Sequence, residues 1–428
     1  RWGMDMRGIQ TLLVALMLVP ALIGGTASAQ NQGEYFQRDR NTAVLERSRN
    51  EFVAPPAQRG AFRVEAEAEL GLASDSNIFA TTTNKEADVV ASFRPSFGAE
   101  STWSRHSLTA NASATRREYL DNTSESVWNA EAGVIGRLDI QRGFFVDVAA
   151  SMAILTENRS SAGAAALSAE PIEYDTANIA AGVTYTTGRV RVNGAIDVHT
   201  SDFEDAALAG GGVADQDFRD YTETRISARV DGAVSPAVAV FARASSNQRD
   251  YDAPAAGLAN RDSDGFVIEA GIDFDLGGQA RGSVAAGVLE QKYDDPSFVD
   301  IDGASYNAEV EWFPTELTTV TVSATRAPRE SAIAASAGYT ETQISGQVDH
   351  ELLRNLILTG RASFGDDDYS GIDRSDERFE LVASATWLMN RRVGVQASLT
   401  RLDVDSRGTA ARGDFDSNVA RIAVSLRM

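Results

Sequence analysis

Phe62-Arg63-Val64-Glu65-Ala66-Glu67-Ala68-Glu69-Leu70-Gly71-Leu72 decides the architecture. Apolar side chains fill one set of alternate positions, from Phe62 to Leu72. Arg63, Glu65, Glu67, Glu69 and Gly71 fill the other. A period of two belongs to a strand, because successive side chains leave opposite faces of the pleat. About eleven residues suffice to cross a bilayer when the strand is tilted. Strands of soluble sandwiches are typically shorter, about 5–6 residues.

The same grammar recurs to the end of the chain. Val190, Val192, Gly194, Ile196 and Val198 alternate with Arg189, Arg191, Asn193 and Asp197. Phe266, Ile268, Ala270, Ile272 and Phe274 alternate with Glu269, Gly271 and Asp273. Ile422, Val424, Leu426 and Met428 alternate with Arg421, Ser425 and Arg427. Beyond the N-terminal region no segment approaches ~18 uninterrupted apolar residues, so a membrane cannot be crossed with helices. In hydrocarbon every backbone amide needs a partner, and a sheet meets that demand only by closing on itself.

Short connections alternate with long ones. Turn-like pairs stand at Thr187-Gly188, Ser235-Pro236, Gly277-Gly278, Pro314-Thr315, Arg354-Asn355 and Asn390-Arg391. Asp139 to Gly143 and the turn near Trp103-Ser104 complete the short set. Longer polar stretches fall at 74–87, 120–125, 156–171, 200–218, 251–263, 294–303, 327–338, 366–375 and 404–414. The spacing predicts an all-β fold over 61–428: a single transmembrane antiparallel up-and-down β-barrel of about 18 strands with a polar lumen. Short turns are normally periplasmic and long loops extracellular, which puts both termini in the periplasm of an outer-membrane protein. Trp103, Trp128, Trp312, Trp387, Phe97 and Phe144 fall near predicted strand ends, where aromatic girdles sit.

The N-terminus has another character. Met4 or Met6 reads as the start and Arg7 as a positive n-region, followed by an apolar run from Ile9 to Ile23. Ala27-Ser28-Ala29 is a small-x-small cleavage site, so residues 1–29 read as a signal peptide and the mature chain as beginning at Gln30. An uncleaved anchor helix is the rival, and the run is short for a span. Residues 30–60 are polar, carry Arg38, Asp39, Arg40, Glu46, Arg47 and Arg49, and end at Pro55-Pro56. They read as a periplasmic tail without a core.

The 428 residues carry 61 acidic and 39 basic side chains, a net charge of −22. Nucleic acid needs a basic footprint and is excluded as a partner. With no cysteine, disulfides, lipoprotein acylation and thiolate metal sites are excluded.

Several stretches resemble one family. They are Val44-Leu45-Glu46-Arg47-Ser48-Arg49-Asn50-Glu51-Phe52 and Ser74-Asp75-Ser76-Asn77-Ile78-Phe79. Arg94-Pro95-Ser96-Phe97, Trp103-Ser104-Arg105-His106 and Glu170-Pro171 with Glu173-Tyr174-Asp175 add to them. Together they resemble the putative β-barrel porin 2 family, across essentially the whole mature chain. The resemblance implies an outer-membrane barrel of a kind often associated with exopolysaccharide export loci, and no catalytic residues. Barrels commonly end in an aromatic residue, and this one ends in Met428.

The polar faces of the strands nominate a two-signed lumen. Its acids are Glu65, Glu67, Glu69, Glu131, Asp147, Asp197, Glu223, Glu269, Asp273, Glu309, Glu311 and Glu380. Its bases are Arg63, Arg94, Arg117, Arg137, Arg189, Arg191, Arg225, Arg229, Arg243, Arg361, Arg378 and Arg421. Such a lining can bind hydroxyl-rich or charged solutes, or its charges can simply pair across strands. Aspartates crowd the long loops, as at Asp202, Glu204 and Asp205, yet Asp300-Ile301-Asp302-Gly303 lacks the later ligands of a calcium loop. Solvated loops explain them better. His106, His199 and His350 have no metal-ligand spacing. Asp197, His199 and Ser201 share a face, and a hydrolytic barrel could be built that way, but no nucleophile motif accompanies them.

The tail is too short for the plug of a TonB-coupled receptor and lacks helical periodicity. The sequence therefore predicts a channel without enzymatic activity and without a cofactor. Export of a surface polysaccharide is the first expectation, general diffusion of small solutes the second, and a structural or hydrolytic barrel the third. The expected surroundings are outer-membrane lipid and lipopolysaccharide and the barrel assembly machinery. An export role would add a periplasmic polysaccharide-export protein.

Overall fold

A computed structural model describes residues 35–36, 42–161, 168–208, 210–255, 257 and 259–428; the leader read at 1–29 lies outside them. Eighteen long strands follow one another along the chain. The first six are Phe62–Asp75 (β1), Asp88–Ser101 (β2), Ser107–Tyr119 (β3), Val127–Gln141 (β4), Phe144–Thr156 (β5) and Glu173–Thr187 (β6). Next come Val190–Phe203 (β7), Tyr221–Ser235 (β8), Val238–Tyr251 (β9), Ser263–Asp275 (β10), Ala280–Tyr293 (β11) and Ile301–Thr315 (β12). Thr318–Glu330 (β13), Gly338–Leu353 (β14), Leu356–Tyr369 (β15), Ser375–Leu388 (β16), Val393–Arg407 (β17) and Phe415–Arg427 (β18) complete the set.

Each strand pairs antiparallel with the next, and β18 pairs back onto β1 from Glu67↔Arg427 to Asp75↔Val419. The sheet is therefore a closed barrel without a free edge, which satisfies the backbone inside the membrane. A three-residue strand, Ala57–Arg59, folds onto the start of β1.

The period-two pattern sorts the faces. Leu70, Leu72, Met152, Ile179, Ile226, Leu399 and Ile422 point outward and are exposed, the condition of side chains that meet lipid. Trp128, Trp312 and Trp387 stand on that face near strand ends.

The strands are longer than the sequence reading at one end of the barrel. Residues 327–330 continue β13, 366–369 continue β15, and 404–407 continue β17, all inside stretches read as loops. The reason is physical: above the hydrocarbon the outer face is wet and the inner face also carries polar residues such as Asp367 and Ser406, so apolar–polar alternation vanishes while pairing persists. On the other end the turns stay short and fall within two residues of their expected places. The turn read at Pro314-Thr315 lies at Glu316-Leu317, beyond an irregularity between Trp312 and Thr315.

The tail departs from the expectation of a segment without a core. Val44 is fully buried and Ala43 and Arg49 nearly so, because the segment folds back against the inner wall of the barrel. Its short apolar stretch is Ala43-Val44-Leu45, too brief to signal burial by pattern.

Candidate functional site: a half-filled lumen

Inward side chains come from every other residue of each strand, so the register decides what meets what. Glu65, Glu67 and Glu69 of β1, Arg94 of β2, Arg117 of β3, Glu131 and Arg137 of β4 and Asp147 of β5 lie on the inward face. So do Arg191 of β7, Arg225 and Arg229 of β8, Glu269 and Asp273 of β10, Glu309 and Glu311 of β12, Arg361 of β15 and Glu380 of β16. Arg189 is the exception. It sits exposed in the turn after Gly188, whose φ of +55° reverses the chain there.

The two halves of the lumen differ. From β7 to β16 many of the inward charges meet in ion pairs, most of them buried. Asp231 accepts from Arg191 and from Arg229, the Arg229–Asp231 contact being 2.7 Å, and Arg229 reaches Asp273 at 2.5 Å. Arg243 pairs with Glu269, Arg281 with Glu311, and Arg361 with Glu380. Nearer the long loops, Arg378 bridges Glu341 at 3.0 Å and Asp367 at 2.9 Å, and Arg374 holds Asp376 at 2.6 Å. Pairing of this kind offsets the cost of burying charge.

From β1 to β5 the wall stays open. Asn111, Ile135 and Ser151 face inward yet are exposed, Ile135 at 42%. Pairing is sparser here: Glu67 with Arg427, Glu69 with Arg421, Arg94 with Glu131 at 3.5 Å, and Arg137 with Asp139. Among the described residues the side chains of Glu65 and Glu100 make no hydrogen bond or ion pair. The open wall therefore carries two carboxylates outside ion pairs near the short turns, with Arg63 opposite Glu100 in the register.

Long loops fold over the mouth. The β13–β14 connection, 331–337, is buried at Ser331, Ser336 and Ala337. Arg261 from the β9–β10 loop donates to Ser331 O at 2.5 Å and Ile333 O at 3.0 Å. Burial pushes that guanidinium down to about 10. Ala337 packs with Leu289, Tyr293 and Ile301 beneath it. Arg249 of β9 pairs with Glu223 of β8 and with Glu330 at the end of β13, where the Tyr251 hydroxyl also donates. On the other side Arg412 of the β17–β18 loop donates to Ser160 O and Ser161 O of the β5–β6 loop, and Arg159 grips Glu125 with two hydrogen bonds.

Loop carboxylates serve the loops themselves. Asp205, Asp215 and Asp217 come together at the surface, where Asp205 and Asp215 accept from the Gln216 and Asp217 amides. Burial raises Asp220 to about 6, assisted by Asp202, Asp217 and Asp252. His199 faces Ser201 at 3.1 Å and the Tyr221 ring, while Asp197 stands opposite Arg225 in the register.

At the short-turn mouth the tail contributes what the sequence reading left out. Val44 N donates to Thr319 Oγ1 of β13 at 2.9 Å. Glu46 pairs with Arg281 of β11 at 2.8 Å, and Arg49 with Glu351 of β14 at 2.9 Å. Burial lowers the Arg49 pKa against the pull of Glu351. Farther upstream Tyr35 N donates to Asp273 at 2.7 Å, and its ring stacks near Arg191.

Residues 56–428 match the family model described as putative beta-barrel porin 2. No curated protein matches the chain. Among solved structures it is similar to OpdK of Pseudomonas aeruginosa with vanillate, at 10% identity and a TM-score of 0.44, over 85% of this chain and 99% of that one. A BenF-like porin from Pseudomonas fluorescens matches at 12% identity and a TM-score of 0.45, over 85% and 99% of the two chains. A mutant ferric enterobactin receptor of Pseudomonas aeruginosa, PfeA, matches at 9% identity and 0.43, over 87% and 82%.

Proposed function

The chain belongs to the putative beta-barrel porin 2 family, and from that premise we propose that this outer-membrane barrel is a diffusion channel for small polar solutes. One observation carries the proposal: the lumen is filled on one side and open on the other. Ion pairs, the 331–337 connection and the tail occupy the β7–β16 half, while the inward face of β3–β5 stays half-buried at most positions and exposed at Asn111, Ile135 and Ser151. An 18-strand barrel left empty would be a wide pore. Inward segments narrow it to a path along one wall, where hydroxyls, amides and a carboxylate excess meet the solute.

The resemblance to proteins of export loci favoured polysaccharide export. That role asks for a lumen clear from mouth to mouth, and two inward segments speak against it. With short turns toward the periplasm, both termini lie there in this reading. The test is purified full-length protein in planar bilayers and in liposome-swelling assays. Discrete conductance steps, with swelling rates that fall steeply from mono- to oligosaccharides, are expected. No conductance, or equal rates for monosaccharides and long oligosaccharides, would overturn the proposal.

A further inference from the structure

The tail segment 42–53 follows the inside of the short-turn mouth rather than hanging free of it. Its contacts step around the barrel wall. Glu46 reaches Arg281 of β11, Val44 reaches Thr319 of β13, and Arg49 reaches Glu351 of β14. Beyond them the backbone passes under the rim: Arg354 of the β14–β15 turn donates to Ser48 O at 2.9 Å, and Arg391 of the β16–β17 turn donates to Asn50 O at 3.0 Å. The barrel-side partners Arg281, Thr319 and Glu351 are inward residues and are buried. The contact is thus inside the aperture.

The segment is built to stay there. Arg49 also donates to Val44 O at 2.7 Å, and the amides of Phe52 and Val53 donate to Arg49 O, so the stretch is a compact turn. Three ion pairs, the third from Arg47 to Glu351 at 3.9 Å, and one buried amide bond hold it to three different strands. An extended strap that only tethered the chain would need neither the turn nor the buried partners.

We propose that segment 42–53 sets the size limit of the channel at its periplasmic mouth. It occupies the cross-section next to β11–β14 and confines solutes to the side of β1–β5. The segment acts on size; the strand walls act on charge. This inference rests on the channel reading given above.

The absence of cysteine from the sequence makes the test clean. Glu46→Gln with Arg47→Gln and Arg49→Gln removes all three ion pairs and should raise single-channel conductance at least twofold and admit larger neutral solutes. Adding Val44→Cys and Thr319→Cys and oxidising the pair should return conductance to the wild-type value, with reduction reversing it. Heat-modifiable mobility confirms that each barrel is folded. Thr42→Cys, exposed and outside the anchoring contacts, supplies an independent measurement: a cationic thiol reagent added from the short-turn side should lower conductance. Unchanged conductance and size cutoff in the folded anchor variant, or no effect of the reagent at a fully modified Thr42→Cys, overturns the inference while leaving a working channel. Absence of conductance in every form, wild type included, overturns the channel reading instead.

Discussion

Arg249 and Glu330 form an ion pair although three strands lie between theirs. Four steps of sheet at ~4.8 Å make about 19 Å of wall, more than the two side chains can span along it. The outer end of β13 must therefore lean over the lumen, and Glu330 is the latch. Glu330→Gln should free the 331–337 connection. Losing a hydrogen-bonded charge pair costs about 1.5–3 kcal/mol. Amide exchange at Ser331 and Ala337 should accelerate by about tenfold or more. Exchange unchanged at both amides would mean that Arg261 alone holds the loop.

The barrel's two faces give a sharper contrast at neighbouring positions. Met152 points outward and is 68% exposed, whereas Ser151 faces the open lumen. An arginine near the bilayer midplane costs about 2–4 kcal/mol, so Met152→Arg should reduce the folded, heat-modifiable fraction. Ser151→Arg should fold normally. Equal damage from both would invalidate the register of β5.

Topology is testable by labelling. An epitope inserted at Gly211, in the loop between β7 and β8, should be reached on intact cells. One at Gly278, in the turn between β10 and β11, should require permeabilisation of the outer membrane. Surface labelling at Gly278 would invert the orientation.

The open wall's charge should be visible electrically. Glu65 and Glu100 stand without ion pairs on β1 and β2, so the channel should prefer cations under a salt gradient. Glu65→Gln with Glu100→Gln should lower that preference by about twofold, as removing charges from a pore lining does. A reversal potential that does not move would place the selectivity filter elsewhere.

How much of this was legible in the sequence depends on what surrounds each residue. Where one face meets lipid and the other water, as in Phe62–Leu72, the period of two reveals strand, span and face together. Where both faces carry polar residues, as at Asp366, Asp367 and Asp368, the strand continues without a pattern to announce it. Lumen membership followed from parity and failed only at Arg189, where a turn replaces the pleat. Pairing was not legible: Asp231, Arg249 and Glu330 matter through partners on other strands, and Arg281 through Glu46 more than two hundred residues away. The tail was misread for the same reason. Glu46 and Arg49 look like solvated charges until Arg281 and Glu351 supply their counterparts.

The seam between β1 and β18 has a kinetic consequence. Arg427 bonds Glu67 across 360 positions of sequence and Met428 N donates to Ala66 O across 362, the longest separations closed among the described residues. Such contacts form late, because chain entropy must be surrendered before they give anything back. Until the last strand arrives, β1 offers an unsatisfied edge on a long, flat, half-apolar ribbon, the kind of edge that recruits foreign strands. Biogenesis is therefore all-or-none at the C-terminus. A chain shortened by the thirteen residues of β18 would carry nearly the whole wall and still be left as two open edges prone to aggregate.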